Sequence, residues 1–368
     1  MLAGHAGRDE RRVAFVVGLG LIGTSLALAL RKAGWTVYGT DVDAGRAARA
    51  VELGAIEGPA ALEPAEAGAA VAFVATPVRA IAGVARDLLE RDATGTLVVS
   101  DVGGVKGEVV RRVDHPRFVG GHPMAGSEQE GPDGADGDLF AGATWVLTPT
   151  ARTDARAFGL VREAVAAIGA EPVALDPARH DRLVALVSHV PHLAAANLMD
   201  LAADAAVEHG VLLRLAAGGF RDMTRIAAGD PAIWPDIFAE NAPAVLAALD
   251  GLAGRLAEAR RIVAEGDWPA LVALLERAKV ARRNLPPRAP VPDALVECRV
   301  PVLDRPGVLA EVTTVLGGLG VNIFDLEIAH SAEGERGVLV MAIDAGQADE
   351  ARRALVERGY RPALRALR

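Results

Sequence analysis

Six residues, "GLGLIG" at positions 18–23, constrain the fold of this chain more than any other feature. They follow an apolar run, Val13–Val17, that is typical of a buried strand, and they precede an uncharged segment typical of a helix. In G-x-G-x-x-G the first glycine permits a tight turn, the second lets a pyrophosphate approach the backbone, and the third lets helix and strand pack closely. The pattern predicts a nucleotide-binding βαβ unit with cofactor contacts from Gly18, Leu19, Gly20, Leu21, Ile22 and Gly23.

An acidic residue follows at the spacing that such a unit requires. Residues 36–39 form the next predicted strand, and Asp41 comes directly after it. A carboxylate at this position binds the ribose hydroxyls of a dinucleotide. Because it would repel a 2′-phosphate, Asp41 favours NAD over NADP as the cofactor.

Further apolar runs alternate with helical segments up to residue 176. Predicted strands at 71–75 and 97–100, near 118, and at 144–147 and 172–175 indicate an α/β fold, a Rossmann-type doubly wound parallel sheet over residues 11–176. Ligands of such sheets bind at the carboxyl ends of the strands. Three successive strand ends carry polar or turn residues, which we expect at the cofactor's edge: Thr76 and Pro77, Asp101 and Gly104, and His122 in "GGHPMAGSE". An ordinary turn remains the alternative for Thr76 and Pro77, and simple turn and helix-start roles remain the alternative for Asp101 and Lys106.

Composition excludes some classes of protein. The net charge of −9 argues against a nucleic-acid partner, which needs a basic surface. The single cysteine, Cys298, rules out an intrachain disulfide framework and favours a reducing, cytoplasmic location. Residues 13–30 carry no charge and imitate a signal peptide or membrane span, but Asp9 and Glu10 precede them and three glycines interrupt them. We therefore expect no membrane association.

Residues 177–284 are rich in alanine and leucine and are predicted to be all-helical. His189 and His192 share a helical face, while His180 projects elsewhere. A metal site is the alternative to a pocket here. Because no carboxylate or cysteine shares that face, we expect no metal.

Two arginines lie four residues apart in "GGFRDMTRIAAGDPAIW". Arg221 and Arg225 would share one face of a helix, and a solvated arginine stripe remains an alternative to a ligand site. Asp230 and Pro231 are typical of a helix start. Trp234 on that helix is otherwise an ordinary core candidate.

A proline-rich linker, residues 285–293, separates this region from the last domain, residues 294–368. There the predicted order is strand 295–300, helix 307–318, strands 321–330 and 337–344, helix 347–358 and a final strand. This βαββαβ order is that of the ferredoxin-like fold.

The motifs "GLGLIG", "DVGGVKG", "VGGHPMAGSE", "HD…SHVPH" and "GGFRDMTRIAAGDPAIW" occur in this order along the chain. In this the chain resembles the prephenate dehydrogenases of tyrosine biosynthesis, from about Val13 to the C-terminus. The segment "LDRPGVLAEVTTVLGGLGVNI" (303–323) resembles an ACT domain. The glycine motif is shared by many dehydrogenases, whereas "GGHPMAGSE" with "FRDMTRIA" is far more specific.

The resemblance implies roles for individual residues. His122 matches the catalytic histidine, whose pKa near working pH suits a general base, and Arg225 matches an arginine that holds a substrate carboxylate. Gly104 departs from the family, since many relatives carry a serine there that contacts the substrate hydroxyl. The helical region would form a homodimer, with Gly218 and Trp234 reaching in from a partner subunit. Residues expected to line the substrate pocket are Arg221, His192, Ser127, Glu128, Gly218 and Trp234.

The implied reaction is the NAD-dependent oxidative decarboxylation of prephenate to 4-hydroxyphenylpyruvate. Arogenate as the substrate, a β-hydroxyacid dehydrogenase and an inactive amino-acid sensor remain alternatives. The ACT resemblance implies regulation by tyrosine, with the effector near Asp304, Gly307 and Asn322; a purely dimerising role is the alternative.

Overall fold

The computed structural model describes residues 12–57, 64, 67–126, 129–285, 295–303, 305–330 and 336–366. The chain divides between Ala278 and Lys279 into two compact units. Ser127, Glu128, Asp304 and all but the first residue of the predicted linker lie outside the described residues.

The first unit contains a seven-stranded sheet in the order β2-β1-β3-β4-β5-β6-β7. Strands β1 to β5 are parallel, which confirms the predicted α/β sheet. Strand β6 runs antiparallel to β5, and β7 is parallel to β6. A parallel pair needs a crossover connection; in the described part of the segment between β5 and β6, the one helical element is a short 3-10 helix, Pro132–Gly134. The strands are β1 Val13–Val17, β2 Thr36–Thr40, β3 Val71–Val74, β4 Val98–Asp101, β5 Phe118–Pro123, β6 Thr144–Thr148 and β7 Glu171–Ala174.

Helices cover both faces of this sheet. They are α1 Leu21–Lys32, α2 Ala44–Glu52, α3 Val78–Arg91, α4 Gly107–Val113 and α5 Ala155–Ala167. Leu30 of α1 and Val161 of α5 belong to the core on one face. Ile81 of α3 and Val109 of α4 belong to a second core on the other face. The buried residues on both sides explain why the strands read as nearly continuous apolar runs.

The rest of the first unit is helical, as predicted. A turn of π-helix, Ala185–His189, interrupts the first long helix just before Pro191. Proline removes one helical hydrogen bond and crowds the preceding turn, which accounts for the irregularity. None of the helices in the described part of the chain is long and apolar enough to cross a membrane. The helices are α6 Pro177–Val184, α7 Val190–Glu208, α8 Gly218–Thr224, α9 Trp234–Glu240, α10 Ala242–Glu265 and α11 Trp268–Arg283.

The second unit has the predicted ferredoxin-like order of elements. Its antiparallel sheet runs β11-β8-β10-β9, with α12 and α13 packed on it. Val312, Leu316, Leu339 and Cys298 lie in its core, and burial raises the pKa of the cysteine thiol to about 11. The elements are β8 Leu295–Leu303, α12 Val308–Gly318, β9 Ile323–His330, β10 Arg336–Asp344, α13 Ala348–Glu357 and β11 Ala363–Ala366.

Candidate active site

The glycine-rich loop between β1 and α1 has the geometry that a dinucleotide site requires. Gly18 has φ +95°, a conformation that favours glycine. A Cβ on Gly23 would collide with the carbonyl oxygen of Gly18, so the third glycine allows the close packing. A Cβ on Gly20 would meet nothing within 4 Å among the described residues. The backbone at Gly20, where α1 begins, is therefore open to a phosphate, and the first N–H groups of the helix are available to bind it.

Asp41 and Thr76 flank this loop. One carboxylate oxygen of Asp41 accepts a hydrogen bond from Leu19 N (2.7 Å) and the other from Asp43 N (2.8 Å). A carboxylate offers about four acceptor positions, so Asp41 retains capacity for ribose hydroxyls. Pro77 directly precedes α3. The buried hydroxyl of Thr76 has no hydrogen-bond partner in the described part of the chain, as suits a group that a ligand satisfies.

Asp101 lies at the predicted strand end, and its side chain is engaged within the protein. Its side chain is fully buried in an ion pair with Lys106. Its two oxygens also accept hydrogen bonds from Gly103 N (2.9 Å) and Gly121 N (3.0 Å). Lys106 donates to Gly121 O at 2.8 Å. The pair thus holds the strand that carries His122, and a cofactor contact from Asp101 stays a prediction.

His122 lies within β5, which continues to Pro123 because β6 pairs with it, His122 opposite Val146. The two preceding glycines are required by space. A Cβ on Gly121 would stand 2.5 Å from Asp101 O, and one on Gly120 would collide with the Thr148 hydroxyl. The Gly-Gly pair thus lets the neighbouring strands close around the histidine.

His180 and Asp181 form a chain of hydrogen bonds behind His122. Its Nδ1 lies 2.9 Å from Nε2 of His180, whose Nδ1 lies 2.8 Å from Oδ1 of Asp181. The Asp181 carboxylate also accepts hydrogen bonds from Lys106 N and Gly107 N at the start of α4, both at 2.8 Å. From the sequence, His180 was predicted only as a candidate metal ligand, and Asp181 was not predicted. The one sequence signal for this pair was the "HD" at the start of the motif "HD…SHVPH".

The surroundings keep His122 uncharged. Burial lowers its pKa well below the usual 6.5, and the neighbouring His180, Lys106 and His189 act in the same direction. On the side of the ring that carries Nε2, a Cβ on Gly104 would stand 3.7 Å from that nitrogen. The residue that departs from the family pattern is thus the neighbour of the His122 Nε2 atom.

The helical region contributes an aromatic surface. The rings of His192 and Trp234 stack with centroids 3.7 Å apart, and Phe238 stacks on Trp234 with centroids 5.3 Å apart. This stacking forms within one chain, whereas the resemblance implied that Trp234 comes from a partner subunit. His189 lies edge-on to Trp234, and its pKa is lowered to about 4 by burial. No three metal-ligating side chains come together within the described ranges.

The two arginines lie on less regular structure than the sequence predicted. Helix α8 begins at Gly218 and ends at Thr224, so Arg225 starts a 3-10 turn that packs against α7. Arg221 is exposed and donates to Ala216 O at 3.2 Å. The predicted common face of Arg221 and Arg225 is thus divided between two kinds of helix.

A glycine loop open to a dinucleotide, with an uncharged histidine at a strand end of the same sheet, defines the class as nucleotide-dependent oxidoreductases. Within this class the chain belongs to the prephenate dehydrogenase family. It matches the family's nucleotide-binding domain over residues 26–174, its dimerization domain over 176–277, and the ACT domain over 296–359. The predicted resemblance is confirmed, and it displaces the β-hydroxyacid dehydrogenase alternative.

Individual relatives agree. A prephenate dehydrogenase of Bacillus subtilis is 34% identical over 334 residues, which cover 88% of this chain and 90% of the relative. The structure of prephenate dehydrogenase from Aquifex aeolicus, solved with hydroxyphenyl propionate and NAD+, aligns with a TM-score of 0.70 and 32% identity over 74% of this chain and 97% of that one. Arogenate dehydrogenase of Synechocystis aligns with a TM-score of 0.64 and 30% identity over 74% and 99%.

Proposed function

We propose that this chain catalyses the NAD-dependent oxidative decarboxylation of prephenate to 4-hydroxyphenylpyruvate and CO2. The observation that carries the proposal is the placement of His122: a neutral imidazole with Nε2 next to Gly104, at the edge of the sheet that also carries the glycine loop. In this position the nitrogen can accept the proton of a ring hydroxyl while hydride leaves the same carbon.

The residues at the sheet edge fit NAD. Gly20 leaves room for the pyrophosphate, Asp41 offers its carboxylate to ribose hydroxyls, and Thr76 has an unsatisfied hydroxyl. The Aquifex aeolicus relative was solved with NAD+. When bound, NAD supplies the hydride acceptor.

The other groups would bind and orient the substrate. Arg225 would grip a carboxylate through two parallel hydrogen bonds, which a lysine cannot make. The stacked rings of His192 and Trp234 offer an apolar surface to the cyclohexadiene ring. With the substrate so held, His122 removes the hydroxyl proton, and loss of the ring carboxylate as CO2 gives the aromatic product.

The helical region would join two copies of the chain. Among the described residues, α10 buries only Val245 and Ile262, and α11 buries none. Large apolar side chains on both helices are about 60% exposed, including Leu256, Trp268 and Val272. Such a surface is typical of an interface, and the family match here is to a dimerization domain. We expect Leu256→Glu to convert the dimer to monomer in analytical ultracentrifugation.

The ACT domain would bind tyrosine as an inhibitor. Gly307 (φ +88°) forms the start of α12, and Asn322 is exposed just before β9. Gly307 also lines a groove of about 850 Å³ that includes Glu311 and Tyr360. Asn322→Ala should then weaken inhibition by tyrosine. Inhibition that is unchanged in this variant would place tyrosine in the active site as a competitor.

The decisive experiment is turnover by the full-length protein. NADH formation from prephenate and NAD would be followed at the nicotinamide absorbance, and the product identified by mass spectrometry. Arogenate is the second candidate substrate because the Synechocystis neighbour is an arogenate dehydrogenase. A higher kcat/KM with arogenate would replace the proposed substrate, and no turnover with either would overturn the proposal.

A further inference from the structure

The hydrogen bonds behind His122 specify which of its nitrogens carries the proton. The Asp181 carboxylate already accepts hydrogen bonds from two backbone N–H groups at the start of α4. A carboxylate can only accept, so Nδ1 of His180 must donate to it at 2.8 Å. Nε2 of a neutral His180 is then an acceptor, and Nδ1 of His122 must donate to it at 2.9 Å. The lone pair of His122 is left on Nε2.

We propose that His180, held by Asp181, is a positioning residue that keeps the proton of His122 on Nδ1 and leaves Nε2 as the proton-accepting atom. The inference rests on the proposed role of His122 as the base. Once Nε2 accepts the substrate proton, the imidazolium carries a positive charge. Asp181 stabilises this charge through His180 without taking up the proton itself.

Gly104 explains why this chain depends on its buried histidine. The family resemblance implied a serine at this position, whose hydroxyl would stand beside Nε2. Glycine supplies no such group, so among the described residues the hydrogen bond that orients the His122 ring comes from the Nδ1 side. His180 is itself fully buried and makes an edge contact with the His122 ring, with centroids 5.1 Å apart.

The charged and polar neighbours of this pair are themselves held in place. Lys106 is committed to Asp101 and Gly121. Asn241 donates to the Asp181 carbonyl oxygen at 2.9 Å and lies 3.3 Å from Nδ1 of His189. Removal of the His180 ring therefore takes away the partner of His122 while these neighbours keep their own hydrogen bonds.

Paired substitutions at His180 separate positioning from packing. In His180→Leu the side chain cannot accept a hydrogen bond; we expect kcat to fall about 100-fold, the scale of a correctly placed base, with the KM for prephenate nearly unchanged. In His180→Gln the amide oxygen can accept from His122 and the amide nitrogen can donate to Asp181, so kcat should recover to within about tenfold of the unmodified enzyme. His115→Gln, three residues before the start of β5, is the matched control and should leave kcat unchanged. A leucine variant with near-normal kcat, or a glutamine variant as slow as leucine, would overturn the proposal.

A measurement on the unmodified chain does not depend on any variant at His180 folding. In protein labelled with 15N-histidine, the signals of His122 are identified by their loss in His122→Asn. We expect the Nδ1 atom of His122 to resonate as a protonated nitrogen and the Nε2 atom as an unprotonated one. The reverse assignment would contradict the proposed positioning by His180. Because this measurement needs no substrate, it tests the placement of the His122 proton by His180 even if prephenate is not turned over. Absence of turnover bears on the proposed function alone.

Discussion

Two parts of the first unit hold their functional groups in opposite ways: the edge of the sheet formed by the carboxyl ends of the parallel strands, here called the sheet edge, and the helical region. At the sheet edge, Lys106 and Asp101 are fully buried and hydrogen-bonded, and helix α6 adds His180, which is fully buried and lies within hydrogen-bond distance of His122. In the helical region Arg221 and Arg225 are exposed, and α11 buries no residue in the part of the chain described. His122, the proposed base, is thus held by buried, hydrogen-bonded groups before any ligand binds, whereas Arg225, proposed to bind the substrate, lies on exposed structure. Pre-organisation at the place where charge develops is the larger contribution to catalysis.

The strongest test of this difference is removal of the base. We expect His122→Asn to lower kcat by about 10²- to 10⁴-fold, the usual contribution of a positioned base. Asparagine keeps a polar side chain beside His180, so folding and NAD binding should be preserved. Steady-state kinetics, circular dichroism and a fluorescence titration with NADH would check all three. Retention of near-normal kcat would exclude His122 as the base.

The buried pair at the sheet edge should matter for stability. Lys106→Met leaves the Asp101 carboxylate buried without its partner, which typically costs about 3–5 kcal/mol of unfolding free energy. The matched control is Lys32→Met, because Lys32 forms an exposed pair with Asp138 at 2.8 Å, and such pairs contribute little. Urea denaturation of the three proteins would measure the difference. Equal losses in both variants would contradict the distinction between the buried and the exposed pair.

The exposed arginine should act on binding rather than on chemistry. Arg225→Ala is expected to raise the KM for prephenate about 10- to 100-fold, the value of a charged hydrogen bond, and to lower kcat far less, since the carboxylate is held equally in ground and transition states. Arg225→Lys should recover part of this loss. Initial-rate kinetics would separate the two constants. An unchanged KM in both variants would return Arg225 to a solvated surface role.

The cofactor preference is a smaller effect. Because the carboxylate of Asp41 repels a 2′-phosphate, kcat/KM with NAD should exceed that with NADP by at least about tenfold, or 1.4 kcal/mol. Asp41→Ala should narrow the gap, although it also removes the hydrogen bond to Leu19 N. Asp41→Asn retains an acceptor for that bond and is the better control. Equal use of both cofactors by the unmodified enzyme would argue against the ribose contact.

Much of the fold followed from local sequence patterns. Apolar runs located the strands, and the glycine spacing located the loop at Gly18, because these features depend on neighbouring residues alone. The direction of β6 did not follow, since β6 pairs antiparallel to β5 and the described residues of the connection contain no crossover α-helix. Local pattern thus determines where an element lies better than how it pairs.

The site was predictable to the same extent. His122 and Gly104 were expected near each other and are. The contact of His122 with His180 was missed because the two are 58 positions apart in sequence and meet only when α6 packs near the end of β5. Asp101 was expected at the cofactor's edge because it stands at a strand end, and its pairing with the buried Lys106 was not predicted. These are consequences of tertiary packing that no short motif contains.

The pH dependence of kcat/KM gives the smallest effect and tests how well the base is enclosed. The base must be unprotonated, so activity is lost as pH falls through the pKa of His122. For a histidine with the ordinary pKa of about 6.5, kcat/KM at pH 6.5 would be about half its plateau value. Burial, with His180, Lys106 and His189 nearby, lowers the pKa of His122 well below this value, so kcat/KM should stay near its plateau from pH 8 down to 6.5 and decline only at lower pH. Measurement at constant ionic strength, with NADH formation as the signal, would show this. A kcat/KM that falls to half its plateau at pH 6.5 would mean that water reaches the His122 imidazole in the working enzyme. The sheet edge would then be solvated, as the exposed Arg221 and Arg225 of the helical region are.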